Sequence, residues 1–98
     1  MEIKKTNKNG TLNVAISGRV DTTTAPALET ELKGSFDGCE ALVLDFADVE
    51  YISSAGLRVL LSAQKVMGKK GGMKLINVSA DIMEIFDVTG FTDILTIV

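Results

Sequence analysis

The segment 41–46, which reads ALVLDF, is an almost unbroken apolar run of strand length. Such a run is typical of a strand that is covered on both faces. A short polar stretch at 47–50 leads to Tyr51-Ile52, and beyond Ser53 the apolar residues take the three-and-four spacing of a helix. A buried strand followed after a short connection by an amphipathic helix favours an α/β fold with helices packed on a sheet.

The rest of the chain continues this alternation and predicts a single domain over residues 1–98. Asn9-Gly10 separates two alternating segments and predicts a hairpin. Besides 41–46, strands are predicted at 3–7, 11–17, 73–78 and 94–98. Helices are predicted at 25–38, 53–67 and 80–88, the first started by Thr22–Thr24 and the last capped by Ser79. In the second helix the predicted core face is Leu57, Leu60, Leu61 and the residues from Gln64 to Met67.

Composition excludes several kinds of function. The formal net charge is −3, so no excess of positive charge is present to bind nucleic acid. Met1–Lys5 leads into polar sequence and no apolar run is long enough to span a bilayer, so we expect a cytoplasmic protein without a membrane partner. Histidine is absent and Cys39 is the single cysteine, which leaves no basis for a disulfide, a zinc site or a Ser-His pair. No cofactor is expected.

Ser53 and Ser54 lie where the strand gives way to the helix. A serine at this place commonly caps free backbone N–H groups, and this structural role is one interpretation. The other is that a serine here accepts phosphate, because the helix N-terminus stabilises negative charge. Without histidine, Ser54 has no evident general base of its own, so an autonomous enzyme is the weaker hypothesis. A kinase substrate only has to present its hydroxyl.

Three further residues admit both a structural and a functional interpretation. Gly56 permits close approach of a partner or a phosphate oxygen, or it merely accommodates packing. Arg58 reaches back toward an anion at the helix start, or it is a solvated surface charge. Asp21 ends the second strand, and in an alternating sheet that end lies beside the serine turn, or Asp21 is an ordinary turn former.

Four blocks follow one another along the chain: Gly18–Asp21, Leu42–Phe46, Val49–Arg58 and Phe86–Phe91. In this order and with these separations the chain resembles the STAS domain of bacterial anti-sigma factor antagonists, over nearly its whole length. The resemblance implies a mixed four- to five-stranded sheet with packed helices. It also implies partner switching, in which an anti-sigma factor with serine kinase activity phosphorylates the antagonist and a serine phosphatase reverses the reaction. The unphosphorylated antagonist binds the anti-sigma factor and frees sigma.

Matched position by position, the resemblance places the phosphorylated serine at Ser54, with Ser53 as second choice. The expected partner-binding residues surround it: Asp21, Thr22, Thr23, Ser53, Ser54, Ala55, Gly56 and Arg58.

One departure from the family pattern leaves alternatives open. Antagonists of this family commonly have Asp immediately before the phosphorylated serine, where this chain has Ser53, and Ala55 stands where a hydroxyl residue is often found. Ser53 therefore alters kinase recognition, is itself modified, or marks a relative that binds partners without phosphoryl transfer. The last possibility describes a constitutive adaptor of a transporter or stress-signalling complex. A third hypothesis is a small enzyme that uses Ser54 covalently.

Overall fold

Asn9 and Gly10 reverse the chain between the first two strands, because both adopt positive φ angles of 55° and 86°. The computed structural model describes residues 1–98. β1 spans Glu2–Lys8 and β2 spans Thr11–Val20, and the two strands pair antiparallel. The predicted hairpin is therefore confirmed.

The sheet contains five strands in the order in which they follow one another along the chain. β3 spans Ala41–Ile52, β4 spans Met73–Ile76 and β5 spans Thr96–Ile97. Every neighbouring pair after β1 and β2 is parallel. The prediction of an α/β fold with a mixed four- to five-stranded sheet is confirmed.

Three α-helices connect the parallel strands: α1 at Ala25–Lys33, α2 at Ser54–Met67 and α3 at Ala80–Thr89. Because strand order follows chain order and such crossovers are nearly always right-handed, all three helices belong on one face of the sheet. Buried side chains agree, since two rows across β2, β3 and β4 are buried: Leu12–Leu42–Met73 and Val14–Leu44–Leu75. None of the helices has the length and apolar character needed to cross a membrane.

The prediction that the run 41–46 is covered on both faces is wrong. Leu42, Leu44 and Phe46 are buried beneath the helices, whereas Val43 and Asp45 on the other face are only half-buried. Since every helix packs on the same side, the opposite face of the sheet meets solvent. The run appears continuous because Ala41 and Val43, at half-exposed positions, are themselves apolar.

β3 is twice as long as predicted, and the polar stretch 47–50 belongs to it. Its register against β2 shifts between Ala15 and Ser17 and again between Gly18 and Arg19. Each shift places one extra residue on β3, as in a β-bulge. The exposed residues therefore come in adjacent pairs, Ala47-Asp48 and Glu50-Tyr51, around buried Val49, and this spacing breaks the two-residue alternation of a strand.

The first helix is shorter than predicted, because it ends at Lys33 and not at Gly38. Gly34 follows as the C-cap, and the Ser35 hydroxyl donates to the Glu31 carbonyl. Such a local bond competes with continued helix. A separate 3₁₀ turn at Phe36–Gly38 still buries Phe36, which satisfies the apolar spacing that suggested one helix.

The predicted bounds of α2 and α3 agree closely with the structure. Ser79 caps α3 by accepting from the Ile82 N–H at 3.3 Å, as predicted. The core face of α2 differs, because α2 packs against α1 as well as the sheet. Its buried residues are Gly56, Leu57, Val59, Leu60, Ala63 and Met67, whereas Leu61 and Gln64 are half-buried and Val66 is exposed.

The last two strands are shorter than predicted. β4 ends at Ile76, where Asn77 adopts a positive φ of 57°. β5 contains only Thr96–Ile97 because the segment before it forms a 3₁₀ turn at Phe91–Asp93. Residues 91–95 thus return the chain to the sheet without joining it.

Candidate functional site

The carboxyl ends of β2 and β3 meet at one edge of the sheet. Val20 pairs with Ile52 in register, and the Ser53 N–H donates to the Val20 carbonyl at 2.8 Å. The two strand ends therefore hold the turn after Asp21 next to the start of α2. Crevices at this edge of parallel sheets are the usual place for binding sites.

Ser53 and Ser54 have different environments although they are adjacent. Ser53 is the N-cap of α2, is half-buried, and its Oγ accepts from the Gly56 N–H at 3.4 Å. Ser54 is the first helical residue, is exposed, and its hydroxyl takes part in no hydrogen bond within the protein. Capping thus occupies the Ser53 hydroxyl and leaves the Ser54 hydroxyl without a partner in the protein.

Gly56 is buried against the end of β2. A methyl group at this position would lie 2.7 Å from Ile52 Cγ1 and 2.8 Å from Val20 Cγ1, well inside van der Waals contact. The absence of a side chain lets α2 approach the two strand ends. Of the two interpretations of Gly56, this geometry favours packing, and direct contact with a partner stays a prediction.

Asp21 organises the turn that leads into α1. Its Oδ1 accepts from the Thr23 N–H at 3.0 Å, the Thr23 hydroxyl at 2.7 Å and the Thr24 N–H at 3.1 Å. The hydrogen bond from the Thr23 hydroxyl is the largest cause that lowers the pKa of Asp21 from 3.8 to about 2, with smaller contributions from the two N–H donors and an opposing one from burial. Asp21 is therefore ionised throughout the physiological pH range.

The threonines do not cap α1 in the way that the sequence suggested. Thr24 occupies the N-cap position without a side-chain capping bond. Its hydroxyl instead accepts from the Asp21 N–H at 2.8 Å and donates to the Arg19 carbonyl at 2.8 Å. Thr22 and Thr23 are exposed beside it. The start of α1 thus depends on Asp21 more than on the threonines.

A groove of about 200 Å³ separates the N-terminal turns of α1 and α2, and we call it the α1–α2 groove. Its lining is Thr22, Ala25, Pro26, Glu29, Ala55, Arg58 and Val59. Three predicted partner-binding residues, Thr22, Ala55 and Arg58, are therefore brought together although 33 to 36 positions separate the first from the others. Arg58 is exposed on the first turns of α2.

Sequence reasoning missed a neighbouring pair, Arg19 and Tyr51. The Arg19 guanidinium carbon lies 4.5 Å from the centroid of the Tyr51 ring, and Arg19 Nε lies 3.7 Å from Asp21 Oδ2. Tyr51 is 37% exposed. The signal was available, because Arg19 precedes Val20-Asp21 just as Tyr51 precedes Ile52-Ser53, and parallel pairing of these segments places the two side chains together.

Known proteins share both the sequence pattern and the fold. The profile of the STAS domain matches residues 2–98. The anti-sigma-B factor antagonist of Bacillus subtilis (strain 168) is 36% identical over 94 residues, which are 95% of this chain and 85% of that protein.

Two solved structures extend the comparison. The crystal structure of an anti-sigma factor antagonist from Mycobacterium paratuberculosis superimposes with a TM-score of 0.89 at 28% identity, over 98% of this chain and 83% of the other. The Bacillus cell fate determinant SpoIIAA in its phosphorylated form gives a TM-score of 0.75 at 13% identity, over 99% and 91% of the two chains, and that likeness concerns the fold alone. The resemblance drawn from the four sequence blocks is confirmed.

Proposed function

This chain belongs to the STAS domain family of anti-sigma factor antagonists, and we propose that it is a cytoplasmic binding protein whose partner is an anti-sigma factor. In the proposed cycle the form with a free Ser54 hydroxyl binds the anti-sigma factor and so releases a sigma factor. The anti-sigma factor acts as a serine kinase on Ser54 and the complex then dissociates. A serine phosphatase returns the chain to its binding form.

The observation that carries this proposal is the free, exposed hydroxyl of Ser54 at the start of α2. Phosphorylation moves the γ-phosphoryl group of ATP onto Ser54 Oγ, while ADP leaves and a base of the kinase takes the hydroxyl proton. The kinase supplies nucleotide, metal and base, so the substrate needs only an accessible hydroxyl. Ser53 meets this requirement less well, because phosphate on its Oγ would remove the cap of the Gly56 N–H.

Electrostatics support a phosphate at Ser54 that leaves the fold intact. Phosphate adds a charge of roughly −1.5 to −2 at neutral pH. The first turn of α2 contains no acidic residue, and the free N–H groups of a helix N-terminus stabilise an anion. Phosphorylation therefore weakens binding because the partner meets a new charge and a larger group at the interface, and not because the antagonist unfolds.

A binding role also agrees with the surroundings of Ser54. No side chain contacts its hydroxyl at hydrogen-bond distance, so the chain offers it no general base. Covalent catalysis by Ser54 alone would require such a base. We therefore propose that this chain is a regulatory binding protein and not an enzyme.

The proposal is tested with the purified chain, its cognate anti-sigma factor and ATP. We expect intact-mass analysis to show one added phosphate on the wild type and on Ser53→Ala, and none on Ser54→Ala. Isothermal titration should then show that phosphorylation weakens binding at least about tenfold, while Ser54→Ala still binds. Label that persists on Ser54→Ala would refute the site, and unchanged affinity after phosphorylation would refute the switch.

The second candidate function is a constitutive adaptor that never receives phosphate. Ser53 favours it, because the N-cap lacks the carboxylate that antagonists of the family commonly carry at this position. Intact-mass analysis of the protein isolated from its native host separates the two functions. A phosphorylated fraction excludes the adaptor, whereas a single unmodified mass under every growth condition excludes the switch.

A further inference from the structure

Arg58 lies four residues after Ser54 in α2. Residues four apart lie one above the other on the same helix face, with their Cβ atoms about 5–6 Å apart. Both side chains are exposed. An anionic group on Ser54 would thus stand directly below the Arg58 side chain, in the favourable order of anion before cation along the helix.

Arg58 is a cation without an anionic partner in the protein. The three ion pairs of the structure join Lys5 to Glu31, Arg19 to Asp21 and Lys33 to Glu29. Glu29, the acidic residue that shares the α1–α2 groove with Arg58, is the one bound to Lys33, at 3.6 Å. The Arg58 guanidinium is consequently free to pair with a group that comes from elsewhere.

The surroundings of Arg58 offer apolar surface to its aliphatic stem and no partner to its guanidinium group. Ala55 and Val59 line the α1–α2 groove beside Arg58, and they offer apolar surface for its methylene groups. A guanidinium extended from such a stem forms paired hydrogen bonds with carboxylates and phosphates alike. Arg58 can therefore serve a partner's carboxylate in one state and a phosphate on α2 itself in the other.

We propose that Arg58 is the intramolecular counter-charge of phosphate on Ser54, and that this pairing withdraws Arg58 from the anti-sigma factor. The inference rests on the proposed function and adds to it the residue through which phosphate acts. In the unphosphorylated form, Arg58 binds an acidic side chain of the partner at the rim of the groove. In the phosphorylated form, the guanidinium turns toward Ser54, so the partner loses a cation and meets a phosphate.

The first test measures the pairing without any partner. Phosphoserine is incorporated at position 54 during synthesis of the protein, and ³¹P NMR follows its second ionisation from pH 4 to 8. We expect its pKa to be about 0.3 to 0.5 unit higher in Arg58→Gln than in the otherwise wild-type protein, because the guanidinium favours the dianion. Lys65→Gln is the matched control, since it removes an exposed cation from the same helix eleven residues away. Equal midpoints with and without Arg58 would overturn the proposal.

The second test measures partner binding. Arg58→Gln should weaken binding of the unphosphorylated chain to the anti-sigma factor about 3- to 10-fold and leave binding of the phosphorylated chain unchanged. The dissociation constant of the phosphorylated chain divided by that of the unphosphorylated chain should therefore fall. Arg58→Lys keeps the charge but not the paired donors, so its ratio should lie between those of the wild type and Arg58→Gln. A ratio that Arg58→Gln leaves unchanged would contradict the proposal.

The two proposals fail in different ways. Phosphoserine at position 54 is installed without a kinase, so the titration decides the role of Arg58 even when no kinase modifies the chain. Absence of phosphorylation by the anti-sigma factor would defeat the proposed cycle alone.

Discussion

The loops that connect strands and helices are joined by several backbone hydrogen bonds at one edge of the sheet and by a single one at the other. At the amino edge, where β2, β3 and β4 begin, the loops are tied together by backbone bonds. The Glu40 N–H donates to the Gly10 carbonyl at 2.7 Å, the Gly71 N–H to the Glu40 carbonyl at 2.6 Å, and the Leu42 N–H to the Gly72 carbonyl at 3.0 Å.

At the carboxyl edge, where these strands end, a single such bond from Ser53 to Val20 joins the neighbouring loops of β2 and β3. The side chains of Thr22, Ser54 and Arg58 there are exposed and make no bond within the protein. Polar groups that form hydrogen bonds within the protein stabilise the fold, whereas exposed polar groups without such bonds are available to a partner. The comparison therefore separates a structural edge from the edge at which we propose that the partner binds, and substitutions at each should have different consequences.

The largest effect on stability is expected at the amino edge, from Gly71→Ala. The added methyl group would lie 2.5 Å from the Glu40 carbonyl oxygen, and backbone on both sides would have to move. We expect a loss of about 2 to 3 kcal/mol in the free energy of unfolding, measured by urea denaturation. Binding of the anti-sigma factor by the folded protein should stay within about twofold of wild type, and a larger change would show that the edges are not separable.

Gly56→Ala is the matching substitution at the carboxyl edge and should affect both properties. Its methyl group meets the side chains of Val20 and Ile52, and the helix propensity gained by alanine offsets part of the strain. We expect a loss of about 1 to 2 kcal/mol in unfolding free energy. Because α2 must shift away from β2, partner affinity should fall as well. Lost stability with unchanged affinity would mean that the spacing of α2 from β2 is irrelevant to binding.

The sequence predicted where the candidate site lies at the carboxyl edge, but not the strand register that determines its detailed geometry. The change from strand to helix at Ser53 and the order of the elements follow from local patterns, because a helix start depends on neighbouring residues. The packing role of Gly56 is only one of two interpretations that the sequence leaves open. The bulges of β3 depend on register against a distant strand, and the parallel spacing of Arg19 and Tyr51 identifies them as a pair only once that register is known. Local periodicity contains no information on register, and for the same reason an apolar run could not show that one face of the sheet is uncovered.

Substitutions of Ser53 test whether capping by Ser53 is independent of the proposed phosphorylation of Ser54. Ser53→Ala should cost about 1 kcal/mol in unfolding free energy, because the Gly56 N–H loses its acceptor. Ser53→Asp should restore the cap and add up to about 0.3 to 1 kcal/mol at low ionic strength, through the charge that it places at the helix N-terminus. The kinase should still modify Ser54 in both variants. Loss of phosphorylation in Ser53→Ala would show that Ser53 also takes part in the reaction.

Asp21 should give the smallest effect, and its sign follows from its lowered pKa. Folding holds this pKa at about 2, below its ordinary value of 3.8, so the ionised carboxylate favours the folded state. That contribution is fully present above about pH 4 and is lost as the pH falls toward 2. In Asp21→Asn the free energy of unfolding should therefore decrease less as the pH falls through this window than it does in the wild type. Unfolding measured between pH 2 and 5 checks this.

Thr23→Val provides the control for Asp21, because it deletes the hydroxyl that contributes most to the shift and keeps the side-chain volume. Carboxyl ¹³C NMR should show the pKa of Asp21 rising toward its ordinary value in this variant. An unchanged pKa would mean that the backbone N–H groups of Thr23 and Thr24, together with the Thr24 hydroxyl, hold the carboxylate without the Thr23 hydroxyl. The turn would then be as self-contained as the amino edge, and the exposed Thr23 hydroxyl would be as free for a partner as those of Thr22 and Ser54.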